Sequence, residues 1–363
     1  MKFRCERDVL VDALAAAGRA VSTRGALPVL SGVRIELQGD ELHLSGTDLE
    51  LSISVTVTVA GADDGVAVIP SRLFSDIVRA LEPGAVEVEI VDDTAQVSAG
   101  RSQFSLRLIP ADDFPRVAEP SGDAMAVDAK TLAQALRQVV PAASSDDSRP
   151  ILTGVLVAAE AGGLRLVATD SYRLAVRDLP GAAVLAEGQS VLLPSRALSE
   201  LTRLLSSADS VDLRLGDREA SFEAGHSRLT TRLIEGEFPN YRNLIPRNHP
   251  NRLTVSREVL LDAVRRVRLL ARESTPVRLA HKADSLELLA ITQDVGQAHE
   301  SVDAAFDGSE LTVAFNPEYL IAGLEAVNAD EVVLETLDAR NPAVLRGVGN
   351  EDFFYLLMPV RVS

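Results

Sequence analysis

Apolar residues recur at three- and four-residue steps in short stretches of this chain, and between those stretches they alternate with polar ones. The first periodicity buries one face of a helix and the second one face of a strand. Leu10 and Leu14 mark a helix over 7–20, and Phe74, Ile77 and Leu81 one over 71–81. Leu132 and Leu136 mark 128–140, Leu198, Leu201 and Leu205 mark 196–205, and Leu260 and Val264 mark 257–272. A sixth helix is expected over 317–327. Strands are expected near 1–5, 31–38, 41–45, 49–58, 66–69, 85–91, 94–99 and 102–109, where Val86, Val88 and Ile90 alternate with Glu87 and Glu89. Turns fall at Gly39-Asp40 and Asp92-Asp93. The first third of the chain therefore reads as two β-α-β-β-β halves. Short loops favour antiparallel pairing, with helices on one sheet face, which makes the fold α+β.

The same pattern returns twice. Thr47-Asp48 recurs as Thr169-Asp170, Pro70-Ser71-Arg72 as Pro194-Ser195-Arg196, and Phe114-Pro115 as Phe238-Pro239. The segment PSRLFSDIVRAL (70–81) aligns with PSRALSELTRLL (194–205) without a gap. In a third copy, Leu253-Thr254-Val255-Ser256 leads into the helix of Leu260 and Val264. Phe315-Asn316-Pro317 takes the place of the Pro-Ser-Arg corner, and Thr292 that of Thr169. Polar, Pro- or Gly-bearing linkers are expected at Val117–Asp123 and Pro246–Arg252, setting units at 1–120, 123–247 and 250–363.

Composition narrows the chemistry. The 363 residues hold one cysteine, so no internal disulfide can form, and Cys5 in the first strand reads as a buried structural thiol. No stretch is apolar enough to span a membrane and Met1–Glu6 lacks a signal-peptide core, so a cytoplasmic protein is expected. A net charge of −17, no Trp and 4% aromatics argue, taken alone, against nucleic acid. No phosphate loop, dinucleotide fingerprint or nucleophile elbow occurs, and five scattered histidines offer no metal spacing. Neither catalytic residues nor a cofactor or metal are expected. Asp170, Ser171 and His226 could be drawn as a triad, but no supporting motif surrounds them. Thr47-Asp48 reads as a structural turn. Its second copy adds Tyr172 and Arg173, residue types enriched in interface hot spots.

Over its full length the chain resembles the bacterial DNA polymerase III β subunit, the β sliding clamp. The resemblance rests on Met1-Lys2-Phe3, Leu27-Pro28-Val29-Leu30, Gly46-Thr47-Asp48-Leu49-Glu50 and Gly100-Arg101-Ser102-Gln103-Phe104-Ser105-Leu106. It continues through Phe114-Pro115, Ala168-Thr169-Asp170, Arg173-Leu174-Ala175-Val176, Phe238-Pro239-Asn240-Tyr241-Arg242, Phe315-Asn316-Pro317 and Leu357-Met358-Pro359-Val360-Arg361. Two departures touch the expected partner site: Tyr172 stands where members often carry His, and Val362-Ser363 runs one residue past the usual stop. The resemblance implies a non-catalytic replication processivity factor of three clamp domains, closed as a head-to-tail homodimeric ring with helices lining the hole. It would encircle double-stranded DNA without sequence preference and tether the replicative polymerase catalytic subunit, the clamp loader, other polymerases and repair proteins through short peptides. Alternative readings are a paralogous antibiotic-resistance-type clamp and a peptide-binding adaptor that does not encircle DNA.

The resemblance places the partner-peptide site at Leu152, Thr169, Tyr172, Arg173, Leu174, Pro239, Leu244, Met358, Pro359, Val360 and Arg361. An apolar chain end also points to a docked terminus, and Met adapts to varied ligands. By position, Arg24, Arg72, Arg79, Arg137, Arg149, Arg196, Arg203 and Arg268 are the candidates for duplex contact. Twelve helices about 10 Å wide, from two chains, enclose a circle roughly 38 Å across at their axes, with about 28 Å clear inside. The six helices together carry +4, which leaves −21 on the rest of the chain. Helices lining a hole would thus be mildly basic inside an acidic shell, a field that centres a duplex loosely. The same placement of Arg265, Arg268 and Arg272 near a helix end also answers the helix dipole.

Overall fold

The computed structural model describes residues 1–22, 27–115, 123–160, 162–182, 184–246, 248–271 and 275–361. Arg24, Arg272, the greater part of the first expected linker, Arg247 in the second, and Val362-Ser363 lie outside the described residues.

All six expected helices form: α1 (Arg7–Gly18), α2 (Ser71–Ala80), α3 (Ala129–Val139), α4 (Ser195–Leu204), α5 (Arg257–Val267) and α6 (Pro317–Ala326). Each buries the stripe that its spacing demanded. Leu10, Leu14, Phe74, Leu136, Leu198, Leu201, Leu260 and Val264 are all almost entirely enclosed. The helix expected over 257–272 ends as α at Val267 and continues as a 3-10 turn, Arg268–Leu270. α6 starts where Asn316 accepts from the backbone N–H groups of Glu318 and Tyr319 at 2.9 and 3.3 Å. That cap satisfies two of the four donors a helix start leaves open, and Pro317 fits the first turn because it has none to offer.

By its contacts the chain divides into two compact units: Met1–Ala133 with Arg196–Leu233, and Gln134–Ser195 with Ile234–Ser363. In the first unit, one sheet orders Ala60–Asp63, Lys2–Glu6, Ala85–Val91, Thr94–Ala99 and Ser102–Arg107. The other runs Met125–Asp128, Ser210–Leu215, Glu219–Ala224, Ser227–Arg232, Leu51–Thr58, Glu41–Thr47, Gly32–Gln38 and Gly65–Pro70. The second unit holds a nine-stranded sheet: Ser190–Pro194, Gly154–Glu160, Gly163–Thr169, Arg173–Pro180, Asn350–Leu357, Ala343–Gly347, Glu331–Thr336, Asn251–Ser256 and Ala305–Asp307. Its four-stranded sheet orders Gly296–Asp303, Ser285–Thr292, Val277–His281 and Leu311–Phe315.

Two features of these sheets were not expected. The strand before each helix leaves its own half and pairs with the meander of the other half: Lys2–Glu6 lies on Ala85–Val91, and Gly65–Pro70 on Gly32–Gln38. In the first repeat α1 then packs on its own meander, against Glu41–Thr47 and Leu51–Thr58, and also against α2, so the two halves of that repeat interlock instead of standing as separate lobes. The second feature is how repeats join. Leu51–Thr58 of the first repeat pairs with Ser227–Arg232 of the second, and Arg173–Pro180 of the second with Asn350–Leu357 of the third. The middle repeat therefore contributes a half to each unit, which is why the two units part within it. Every named strand pair is antiparallel, as the short loops required.

Candidate functional site

The Thr-Asp turn is built identically at both places. Thr169 Oγ1 donates to the Arg173 carbonyl at 2.6 Å, while Asp170 Oδ1 accepts from the N–H groups of Tyr172 and Arg173 at 2.9 and 3.0 Å. Thr47 Oγ1 donates to the Leu51 carbonyl at 3.2 Å, and Asp48 Oδ1 accepts from Glu50 and Leu51 at 3.1 and 2.8 Å. The residue between sits at positive φ in both copies, 83° for Ser171 and 79° for Leu49. These Thr and Asp side chains satisfy the turn's own backbone, as the structural reading required. Asp170 is fully engaged, because its Oδ2 also takes Arg173 Nε at 2.9 Å.

What the second copy adds is an aromatic and cationic cluster. The Tyr172 ring stacks on Tyr319 with centroids 6.3 Å apart, and the Arg173 guanidinium lies 4.6 Å above the same Tyr319 ring. Arg173 Nη1 reaches the Tyr355 hydroxyl at 3.4 Å. Burial pushes the Tyr355 phenol up to about 12, against the pull of Arg173, so it stays neutral and can accept from the cation. Burial, with the nearby Asp170 charge, also holds Tyr319 above the ordinary phenol value. α6 comes close enough for this because Gly323 faces the Tyr355 ring, where a Cβ would stand 2.6 Å from a ring carbon. Leu174 belongs to a core with Val167, Val176, Tyr241 and Leu356, which gives the turn a rigid floor.

The terminal segment closes one side. Met358 N–H donates to the Tyr172 carbonyl at 2.9 Å and Val360 N–H to the Ala314 carbonyl at 2.8 Å. These bonds tie Met358-Pro359-Val360 down instead of leaving the segment frayed. Pro359, with no N–H, falls between the two donors. Leu152 is nearly enclosed in the 3-10 turn Pro150–Thr153, next to Arg149, whose Nη1 donates to Ser171 Oγ at 3.3 Å. Pro239 and Leu244 flank Tyr241, and Leu244 is exposed. Arg361 is exposed beyond the last of these bonds. Tyr172 at 59% and Met358 at 37% exposure leave apolar surface facing water where they adjoin, and Leu244 is 46% exposed.

Sequence reasoning missed Tyr319 and Tyr355. A signal was present: the chain has only four tyrosines, and all of them, Tyr172, Tyr241, Tyr319 and Tyr355, fall in this cluster or its floor.

The arginines expected at a duplex are distributed as follows. Arg72 and Arg79 lie on α2, each near Asp76 at 4.0 and 3.8 Å. Arg203 on α4 pairs with Glu200 at 2.7 Å, and Arg196 on α4 pairs with Asp48. Arg268 meets Glu318 at 2.7 Å. Arg137 on α3 is exposed and has no carboxylate partner among the described residues. Arg149 is held by Asp146 at 2.8 Å beside the tyrosine cluster. The pairs of Arg72, Arg79, Arg149 and Arg268 are exposed on both sides and worth little, so a phosphate can replace the carboxylate there at small cost, whereas Asp48 and Glu200 are largely buried.

Among the described residues, no group of three or more His, Cys, Asp or Glu side chains could hold a metal ion, and no helix is long and apolar enough to cross a membrane. Cys5 is buried, and burial raises its thiol pKa. Among the described residues, the Tyr172–Tyr319 pair is thus an exposed aromatic surface on a rigid floor.

Family models of the DNA polymerase III beta subunit match in order: the N-terminal domain at residues 1–118, the central domain at 126–240 and the C-terminal domain at 242–361. The beta sliding clamp of Streptomyces coelicolor is 35% identical over 380 residues, covering 100% of both chains. That of Staphylococcus aureus is 32% identical, covering 99% of each. The crystal structure of the Bacillus subtilis polymerase sliding clamp superposes with a TM-score of 0.93 at 30% identity over the full length of both chains. A Pseudomonas aeruginosa sliding clamp bound to griselimycin gives 0.92, also at 30% identity and full coverage. The chain belongs to the DNA polymerase III beta subunit family, the β sliding clamps, which are non-catalytic processivity factors of DNA replication.

Proposed function

We propose that two copies of this chain close head to tail around duplex DNA, and that the tyrosine cluster receives short linear peptides. Those peptides would come from the replicative polymerase, the clamp loader, other polymerases and repair proteins. The observation that carries the peptide reading is the Tyr172–Tyr319–Arg173 cluster fenced by Met358, absent from the otherwise identical first turn, where Glu50 and Leu51 stand instead. A rigid aromatic surface with a Met edge suits varied apolar anchors. The three-part partition at 1–120, 123–247 and 250–363, the eight arginines as transient phosphate contacts, and a cytoplasmic location belong to the same reading.

The repeat junctions supply a register for ring closure. Where repeats join, the third meander strand of a first half pairs with the third meander strand of the next repeat's second half. Two strands of this kind remain as open edges, Ser102–Arg107 and Gly296–Asp303. Leu51 lies opposite Thr231, and Arg173 opposite Leu357. Carried over by repeat equivalence, the rule sets Gly296 opposite Leu106, Ala298 opposite Phe104 and Glu300 opposite Ser102 of a second copy. Arg101 and Arg107 then meet a strand carrying Glu300 and Asp303. Phe104 at 39% and Leu269 at 81% exposure supply apolar surface for such a contact. The test is solution mass: the wild-type chain should weigh as two, and Phe104→Asp or Leu269→Asp as one. A wild-type monomer at micromolar concentration would refute closure.

A further inference from the structure

At the opposite end of the strand pair that carries the tyrosine cluster, four residues and about 13 Å along from Arg173, Arg177 forms part of the lining of an open recess of about 770 Å³. Arg177 is 91% buried, and its Nε and Nη1 make no hydrogen bond. Among the described residues its one ion pair, with Asp352, is long at 3.9 Å. Around it stand Asp330, Glu331 and Glu351, exposed and with no cationic partner among the described residues. A buried guanidinium with unmet donors calls for acceptor oxygens, and the rim calls for cations. Duplex DNA or free phosphate would answer the first and be repelled by the second. A simple polyamine would answer the rim and leave Arg177 unmet.

The geometry points to a docking site for a basic peptide segment, whose main-chain carbonyls accept from Arg177 while its Lys or Arg side chains meet Asp330, Glu331, Glu351 and Asp352. The site lies outside the tyrosine cluster, and its occupancy does not depend on what the cluster binds. Four carboxylates against one arginine leave a net charge of −3 around the recess, so binding is salt-sensitive and steered over a Debye length of about 8–10 Å.

The probe is a fluorescein-labelled, acetylated and amidated Gly-Lys-Gly-Lys-Gly peptide, titrated into the full-length protein by anisotropy, with spermidine and inorganic phosphate as competitors. Asp330→Asn, Glu331→Gln and Glu351→Gln combined should weaken the probe at least tenfold. Arg177→Lys, which keeps the charge and loses donors, should weaken it about threefold or more. Melting temperature, and binding of an apolar peptide at Tyr172, should be unchanged in the triple variant, which alters only exposed side chains. Phosphate should not compete, and spermidine should compete far more weakly than unlabelled peptide. Undiminished binding to the triple variant, or spermidine competing as well as the peptide, would overturn the proposal.

Discussion

Replacing Tyr172 by Ala separates docking surface from scaffold. The ring stacks on Tyr319 yet remains 59% exposed, so in the free protein it contributes only part of an aromatic pair. A full pair is worth about 0.5–1.5 kcal/mol. The half-exposed stack should then cost under about 1 kcal/mol, a melting shift of roughly 2–4 °C at most. A bound peptide changes that balance. If it covers the exposed three-fifths of a ring that buries about 200 Å² in full, it removes about 120 Å² from water. At about 25 cal/mol per Å² that is worth as much as ~3 kcal/mol. Allowing for incomplete coverage, the loss should be about 1–3 kcal/mol, roughly 5- to 150-fold in Kd. Fluorescence anisotropy with labelled polymerase and loader peptides reads this directly, beside the melting curve. Met358→Ala should act in the same direction on both peptides and more weakly. Unchanged peptide affinity with a melting temperature lowered by many degrees would refute the docking assignment and leave the cluster structural.

Three further perturbations follow. Asn316→Ala removes the α6 cap, should cost about 1 kcal/mol by denaturant titration, and should weaken peptide binding because the cap fixes Tyr319; full affinity would disconnect the two. His281 is buried against Phe306, and burial lowers its pKa to about 4. Its native state thus binds fewer protons than the unfolded state, and the stability this confers is present above pH 6.5 and lost as pH falls toward 4. Relative to His281→Phe, the wild type should lose about 3 kcal/mol over that window; parallel pH curves would refute it. Arg137→Ala should shorten residence on DNA and reduce its salt dependence with no change in fold, whereas an unaltered salt slope would remove Arg137 from the duplex contacts.

Periodicity reported most of the secondary structure because each helix buries a single narrow stripe, as Leu10 with Leu14 and Leu198 with Leu201 show. Ala60–Asp63 escaped notice because it is short, at a sheet edge and lined by small or acidic residues, so no alternation marks it. The exchange of first strands between halves was also invisible. Lys2–Glu6 carries the same pattern whichever meander it joins, so its pairing with Ala85–Val91 could not be read from it. The repeat singled out the turn residues and the apolar chain end pointed to a docked Met358, whereas gathering them into a partner site rested on the family resemblance. Tyr319 was not, because its place on α6 reads as an ordinary helical position until the Asn316 cap and the turn at Ser171 bring it under Tyr172. The ion pairs that occupy Arg196 and Arg268 were equally hidden, since their partners Asp48 and Glu318 lie far off in sequence, whereas Arg203 and Glu200 are three residues apart on one helix.

A closed ring would hold DNA by topology and not by affinity. The most direct measurement loads the clamp onto a nicked circular plasmid with its loader and follows retention by gel filtration before and after one restriction cut. Clamp should co-elute with the circle at moderate salt and be lost once the DNA is linear. Equal retention on both forms, or equal loss from both, would contradict it.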